Sequence, residues 1–502
     1  MNPIYKWRVP HFAAALCLLL TAGCVVGPNF KKPAAPAVSS YTAGPLRSTA
    51  GVANIAGGSA QRFVQGLNIP GEWWTLFHSR PLNDLIASSL THNPDVKAAQ
   101  AALQVAREDV LAQRGAFFPS VTGGFAASRQ LQSEQLAPVP NYPIVPYEYQ
   151  YNLFTPEVSV SYVPDVFGLN RRTIESLEAQ ENEVRFQLIA TYVTLSANVA
   201  VAAIQEASLR ARIKATRRLI AIDSGMVHIL RYRFAKGYAS RLDLAAQESQ
   251  LAQVAATLPP LLKRLARQRD LLAVLAGRFP GRAPVEKFEL SSLRLPEELP
   301  VSLPSQLVEQ RPDVRQAEAN LHAASAQIGV AIANRLPNIM LTADVGSMAL
   351  SFDQVFAAGT GFWGLGAALA TPIFEGGTLL HKERAAKAAY VQAAEQYRST
   401  VLAAFQNVAD TLNALEQDAS ALKAASNAAA AARVTLNLAR EQTQDGYTCE
   451  LALLYAEQAY NRASINLIKA QANRFTDTAA LFEALGGGWW HSADLIKDKH
   501  EK

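Results

Sequence analysis

The chain has 502 residues, a formal net charge of +5, 18% charged residues and 49% hydrophobic residues. So small a charge over such a length, with no Lys/Arg block, excludes the basic footprint of a nucleic-acid binder, so no nucleic-acid partner is expected. No apolar run reaches about 18 residues, which argues against a spanning helix, so the apolar surplus must be buried another way.

The first residues read as an export signal. Lys6 and Arg8 precede an apolar stretch from Phe12 to Leu20, too short to span as a helix, and Thr21-Ala22-Gly23 then leads to Cys24. Residues 1–23 are therefore expected to be a lipoprotein signal peptide. Leu20 to Cys24 resembles a bacterial lipobox, with Thr21 where leucine is commonest, and Cys24 would carry a covalent lipid. The alternative is an ordinary signal beside a chance cysteine. Gly-Cys at this distance from the apolar stretch favours lipidation, and a multi-chain anchor holds firmly without a membrane helix. Cys17 leaves with the signal, so only Cys449 remains and no intrachain disulfide is expected.

A tether rich in Pro, Ala, Ser and Gly occupies much of 24–80, where Trp73, Trp74 and Phe77 open the packed region. A first repeat is expected over 81–277. It contains a helix interrupted near His92-Asn93-Pro94, strands over about 117–129 and 152–163, a long helix over 169–235 and a return helix over 241–277. Val158, Val160 and Tyr162 alternate with Glu157, Ser159 and Ser161, a strand with one apolar face. Pro259-Pro260 predicts a kink in the return helix.

A Pro-rich linker follows over 278–306, then a second repeat over 307–488. Its parts are a helix over 311–336, strands over about 337–348 and 361–371, a long helix over 376–445 and a return over 449–485. A tail covers 489–502. The two repeats share phrases: Asn93-Pro94-Asp95-Val96 stands 25 residues, proline to proline, before Phe118-Pro119, and Arg311-Pro312-Asp313-Val314 stands 25 before Leu336-Pro337. That shared register predicts an internal duplication. Thr378 to Asp445 has no Gly or Pro, and these 68 residues make about 100 Å of helix at 1.5 Å per residue. Val401, Phe405, Val408, Leu412, Leu415, Ala419 and Leu422 step by four and three, a coiled-coil seam.

Four strands are too few to close a barrel, and their edges cannot lie open in lipid. Closure then needs several chains, and three would supply twelve strands. The long helices carry Arg and Glu throughout and must project into the periplasm. The expected fold is an α+β membrane protein: a trimeric 12-stranded outer-membrane β-barrel, four strands per chain, continuous with a 12-helix periplasmic α-barrel.

The ordered phrases Thr21-Ala-Gly-Cys24-Val-Val-Gly-Pro28, Trp73-Trp74, Leu303-Pro304-Ser-Gln-Leu307 with Arg311-Pro312-Asp313-Val314-Arg315, Pro372-Ile-Phe-Glu-Gly-Gly377 and Ala484-Leu-Gly-Gly-Gly-Trp489 carry a resemblance. Over about 24–490 the chain resembles the TolC/OprM-type outer-membrane factors, in their NodT-like lipoprotein branch. The resemblance makes 24–80 and 278–306 equatorial segments. It implies a homotrimeric exit duct, without a cofactor, that docks through a periplasmic adaptor (membrane fusion protein) onto an inner-membrane pump. The pump would be of the resistance-nodulation-division (RND), major-facilitator (MFS) or ABC type.

In that family the duct closes at its periplasmic helix tips. The candidate gate and adaptor-contact residues are therefore Arg233, Lys236, Gly237, Tyr238, Ser240, Arg241 and Asp243 on the first tip. On the second they are Gln444, Asp445, Gly446, Tyr447, Thr448, Cys449 and Glu450. Family members carry an acidic ring just beyond the second glycine; here Thr448 and Cys449 stand there, with acids only at Asp445 and Glu450.

Gly359-Thr-Gly361-Phe-Trp-Gly364 fits a nucleotide-loop pattern, but no helix is expected after it. The histidines show no metal spacing, and no nucleophile–base pair or carboxylate pair stands at diagnostic spacing, so neither a metal nor an enzymatic activity is expected. A lipid-anchored periplasmic coiled-coil adaptor without a pore is the alternative, although it has no need of two strand pairs.

Overall fold

The computed structural model describes residues 25–44, 48–132, 149–282 and 288–492. The expected signal peptide, Cys24, the loop between the first two strands and the tail beyond Ser492 lie outside the described residues. In chain order the elements are β1 (Arg62–Gln65), α1 (Arg80–His92), α2 (Pro94–Arg114), β2 (Ser120–Gln132), β3 (Tyr149–Tyr162), α3 (Leu169–Ala235) and α4 (Arg241–Leu275). They continue with β4 (Glu298–Val301), α5 (Pro304–Gln310), α6 (Pro312–Ala333), β5 (Asn338–Ser347), β6 (Gly361–Ala370), α7 (Thr378–Gln444) and α8 (Glu450–Ala484). The chain divides into two compact units. One takes the described parts of 1–32, 104–182 and 319–395, and the other those of 33–103, 183–318 and 396–502.

The first unit holds an antiparallel sheet in the order β2-β3-β5-β6. Register and the two-residue side-chain period put Val121, Val158, Val160, Val345, Trp363, Leu365 and Leu369 on one face. Thr122, Glu157, Ser159, Thr342, Asp344, Gly364 and Gly366 fall on the other. The apolar face is bare: Trp363 and Leu365 are 74% and 77% exposed. The outer strands β2 and β6 have no partner on their far sides among the described residues.

Two details differ from the expectation. β2 starts at Ser120 rather than near 117, because Gly115–Phe117 winds a 3₁₀ turn before Pro119. The tether is also pinned where it is described. The Arg172 guanidinium donates to Val26 O (2.9 Å), Gly27 O (3.2 Å) and Asn29 Oδ1 (2.9 Å), and pairs with Glu175 at 2.6 Å. Phe30 stacks on His322 at 4.3 Å. This close approach depends on glycine: a Cβ at Gly329 would stand 2.8 Å from Arg172 Cγ and 2.9 Å from Val26 O.

The second unit is built on aromatic packing. Trp73 is fully buried, stacked on Phe482 with ring centroids 5.2 Å apart, and Phe77 meets its edge at 6.2 Å. The linker over 278–306 contributes β4, which pairs in parallel with β1 from Arg62↔Glu298 to Gln65↔Val301. Four residues of strand separated by more than two hundred in sequence leave no periodic signal, which is why the pairing was not legible. Seam residues Val401, Val408, Leu412, Leu415, Ala419 and Leu422 are all buried. An 18-residue window of α3 is apolar enough to cross a membrane, but 61% of it is buried in protein, as a core helix requires. α4 carries on through Pro259 and Pro260 as one continuous helix. Both prolines are exposed, so the carbonyls deprived of a helical N–H face solvent.

Arg474 is fully buried on α8 and donates to Leu415 O (3.2 Å), Ser59 O (3.0 Å) and Thr49 Oγ1 (3.3 Å). Beside it Asp477 is hydrogen-bonded to Asp418 of α7. Burial first, then this second carboxyl, pushes Asp477 from 3.8 up to about 7, with Arg474 opposing. A raised folded-state value means that the fold holds a proton the unfolded chain releases. The resulting stabilisation is complete below about 3.8 and is lost as the pH rises through about 7. Asp477→Asn should therefore flatten the fall in thermal stability across that window. A variant that keeps the wild-type pH profile would show that this carboxyl does not carry the proton. Trp73→Ala should cost about 3–5 kcal/mol of stability, read by denaturant titration.

Candidate functional site at the helix tips

Both long helices end in the same backbone device. At the first tip Tyr238 N–H donates to Arg233 O at 2.8 Å and Gly237 N–H to Phe234 O at 2.9 Å. At the second, Tyr447 N–H donates to Gln442 O at 2.8 Å and Gly446 N–H to Thr443 O at 3.3 Å. This paired closure satisfies carbonyls that would otherwise lack donors and needs a left-handed residue at its centre. Gly237 and Gly446 supply it, with φ of +79° and +76°.

The return helices start differently. At α4 Ser240 Oγ accepts from Asp243 N–H at 3.1 Å, and Ser240 N–H donates to Asp243 Oδ2 at 3.1 Å, a reciprocal cap. The Ser240 hydroxyl and N–H hold the Asp243 carboxyl below its usual range. At α8 the same position is Cys449, which is free and exposed. Its thiol is lowered from 9.0 by the Ala452 N–H first, against the effect of burial, and to a smaller extent by the Arg233 guanidinium beside it. Arg233 of the first tip therefore lies beside Cys449 of the second.

Among the remaining sequence candidates, Lys236 Nζ lies 5.9 Å from the Tyr232 ring and the Arg241 guanidinium 5.9 Å from the Phe234 ring. Tyr238 and Tyr447 are more than 80% exposed. Gln444 closes α7, Asp445 N–H donates to Glu441 O at 2.9 Å, Thr448 N–H to Gln442 O at 3.2 Å, and Glu450 opens α8. The structure therefore brings together Arg233 with Cys449 and Ser240 with Asp243. Sequence reading had named these four residues but not their pairing, and it missed Arg231, which pairs with Glu248 at 2.8 Å just behind the first tip. Among the described residues no group of three or more His, Cys, Asp or Glu could hold a metal.

Alkylation of Cys449 by iodoacetamide should follow a titration midpoint below the ordinary 9.0, and Arg233→Ala should move that midpoint upward. An unmoved midpoint would remove the guanidinium from the thiol's surroundings.

Residues 85–278 and 303–487 match the pattern of the family described as outer membrane efflux protein. The chain is 28% identical over 481 residues to the toluene efflux pump outer membrane protein TtgC of Pseudomonas putida, covering 95% of each. It is 24% identical over 486 residues to nodulation protein T of Rhizobium leguminosarum bv. trifolii, covering 96% of this chain and 97% of that one. The solved structure of the outer-membrane channel OprN superposes with a TM-score of 0.79 at 25% identity, covering 93% of this chain and all of that one. With two long spans of the family pattern filled, the chain belongs to the outer membrane efflux protein family and works in the outer membrane as the exit duct of an efflux system.

Proposed function

We propose that three copies of the chain close one twelve-stranded barrel and join their long helices into a periplasmic conduit, gated at the helix tips. The observation that carries this reading is the four-stranded sheet with an apolar face and bare outer strands. In lipid every backbone N–H and C=O needs a protein partner, and a four-stranded sheet meets that need only by pairing β6 of one copy with β2 of the next. Two copies would give eight strands, a lumen filled by its own side chains. Three leave a water-filled passage lined by the Ser, Thr, Gly, Glu157 and Asp344 face.

The remaining parts follow. Cys24 bears the lipid, and the Arg172 clasp on Val26 to Asn29 holds the residues just after it against the first unit. The tips, with Arg233, Gly237, Ser240, Asp243, Gly446 and Cys449 at their turns, meet a periplasmic adaptor, which links the duct to an inner-membrane pump of the RND, MFS or ABC class. The duct moves substrate passively and holds no cofactor. The element order helix, strand, strand, long helix, return helix occurs in both halves of the chain, which supports an internal duplication. A lipid-anchored adaptor without a pore has no use for the bare apolar sheet.

Native mass spectrometry of detergent-extracted protein should give three chains, and a monodisperse single chain would overturn the closure argument. In planar bilayers Arg233→Ala, which removes the guanidinium beside Cys449, should raise single-channel conductance. Wild-type conductance in that variant would take Arg233 out of the gate.

A further inference from the structure

The two helical hairpins have the same dimensions. α3 and α7 each have 67 residues and α4 and α8 each have 35. Equivalent glycines are equally spaced, since 446 − 237 and 486 − 277 both give 209. A residue of the first hairpin therefore has its counterpart 209 positions on.

The charge of the two hairpins is not the same. Residues 207–222 of α3 hold Arg210, Arg212, Lys214, Arg217 and Arg218 with no acid, and residues 258–269 of α4 hold Lys263, Arg264, Arg267 and Arg269 with none. The counterparts of all these positions in the second hairpin include one cation, Lys423, the counterpart of Lys214. Two helices of this length therefore pack without such a cluster.

One buried carboxylate, Glu206, borders the cluster, and it is already engaged. Its Oε1 accepts from Arg269 Nε at 3.3 Å, and Arg210 Nη1 lies 3.9 Å from its Oε2. Among the described residues none of the remaining cations stands within ion-pair reach of a carboxylate.

Arg212 is the member that water does not serve. Its Nε is buried with no partner among the described residues. Burial first, and then the Arg264 guanidinium across the seam between α3 and α4, push its basicity down. A buried donor left unmade costs its full desolvation, and here a second like charge adds to that cost. An acceptor with two negative charges placed between the guanidiniums would remove both penalties. Guanidinium forks match the oxygens of a phosphate better than those of any neutral acceptor.

We propose that Arg212 and Arg264 bind a phosphate-class oxyanion between α3 and α4, with the exposed cations around them drawing it in. The site lies within one chain, so it does not depend on the trimer reading. It is also separate from the tips, because Arg212 stands 25 residues before Gly237, about 37 Å along the helix.

The test uses the full chain in detergent, exchanged into phosphate-free buffer and titrated with inorganic phosphate at ionic strength held constant with potassium chloride. Isothermal titration should show saturable binding of one phosphate per chain. The thermal midpoint of the helices, followed by circular dichroism, should rise to a plateau over the same range. Arg212→Met should abolish both responses. Arg264→Gln changes an exposed side chain, so it should fold as wild type and bind at least about tenfold more weakly. Lys423→Gln, the matched change in the second hairpin, should bind as wild type does. Glycerophosphoglycerol, the soluble head group of an anionic phospholipid, distinguishes the sources. Heat from both compounds gives the site to any phosphate group, and heat from phosphate alone gives it to the free dianion. Absence of saturable binding to the wild type overturns the site, as does undiminished binding in Arg264→Gln or an equal loss in Lys423→Gln.

Discussion

The backbone of a strand edge in lipid has no water to bond to, and this constraint shapes the rest of the molecule. The chain carries four membrane-length strands, and its sheet ends in β2 and β6. No rearrangement inside one chain removes both edges while keeping an apolar face outward and a polar face inward. On the reading proposed above, the need for neighbours is written into strand number. In that reading lipid, not a neighbouring chain, covers large apolar side chains such as Trp363 and Leu365, which are exposed here.

Stability away from the sheet comes from a different source. With Cys449 free, the second unit relies on stacked aromatics around Trp73 and on buried polar groups that are mostly satisfied. Arg474 illustrates the risk. Its guanidinium is fully buried and three backbone or hydroxyl oxygens accept from it, yet its Nε has no partner among the described residues. The Asp418–Asp477 pair beside it supplies charge without two full negative charges only while one proton is shared. A buried cation with a half-neutralised carboxyl pair is a compromise that fixes the pairing of α7 with α8 more than it adds to stability.

The sequence showed its periodic features clearly and its long-range ones poorly. The seam from Val401 to Leu422 was legible because every step of three or four lands on one helix face, and those side chains are buried. Alternation from Glu157 to Tyr162 was legible for the same reason at period two. The β1–β4 pairing, the Arg172 clasp and the Arg233–Cys449 contact depend on which distant residues meet, and no local pattern encodes that. The tip residues were named through the family resemblance, while the correspondence of Cys449 to Ser240, 209 residues earlier, follows from the repeat.

That last correspondence bears on how a gate could open. In the proposed trimer the tips meet around the ring at two kinds of joint, one within a chain and one between chains. The joint within the chain pairs Arg233 with Cys449, a cation against a thiol whose proton is loosened. Its counterpart between chains, by the same offset, sets Gln442 beside Ser240, two neutral groups, and Ser240 is already committed to capping Asp243. A ring with six equal joints would have to open everywhere or nowhere. In such a ring a cation–thiol contact would alternate with a neutral one, so a partner that wedges between copies would part three joints while the other three hold.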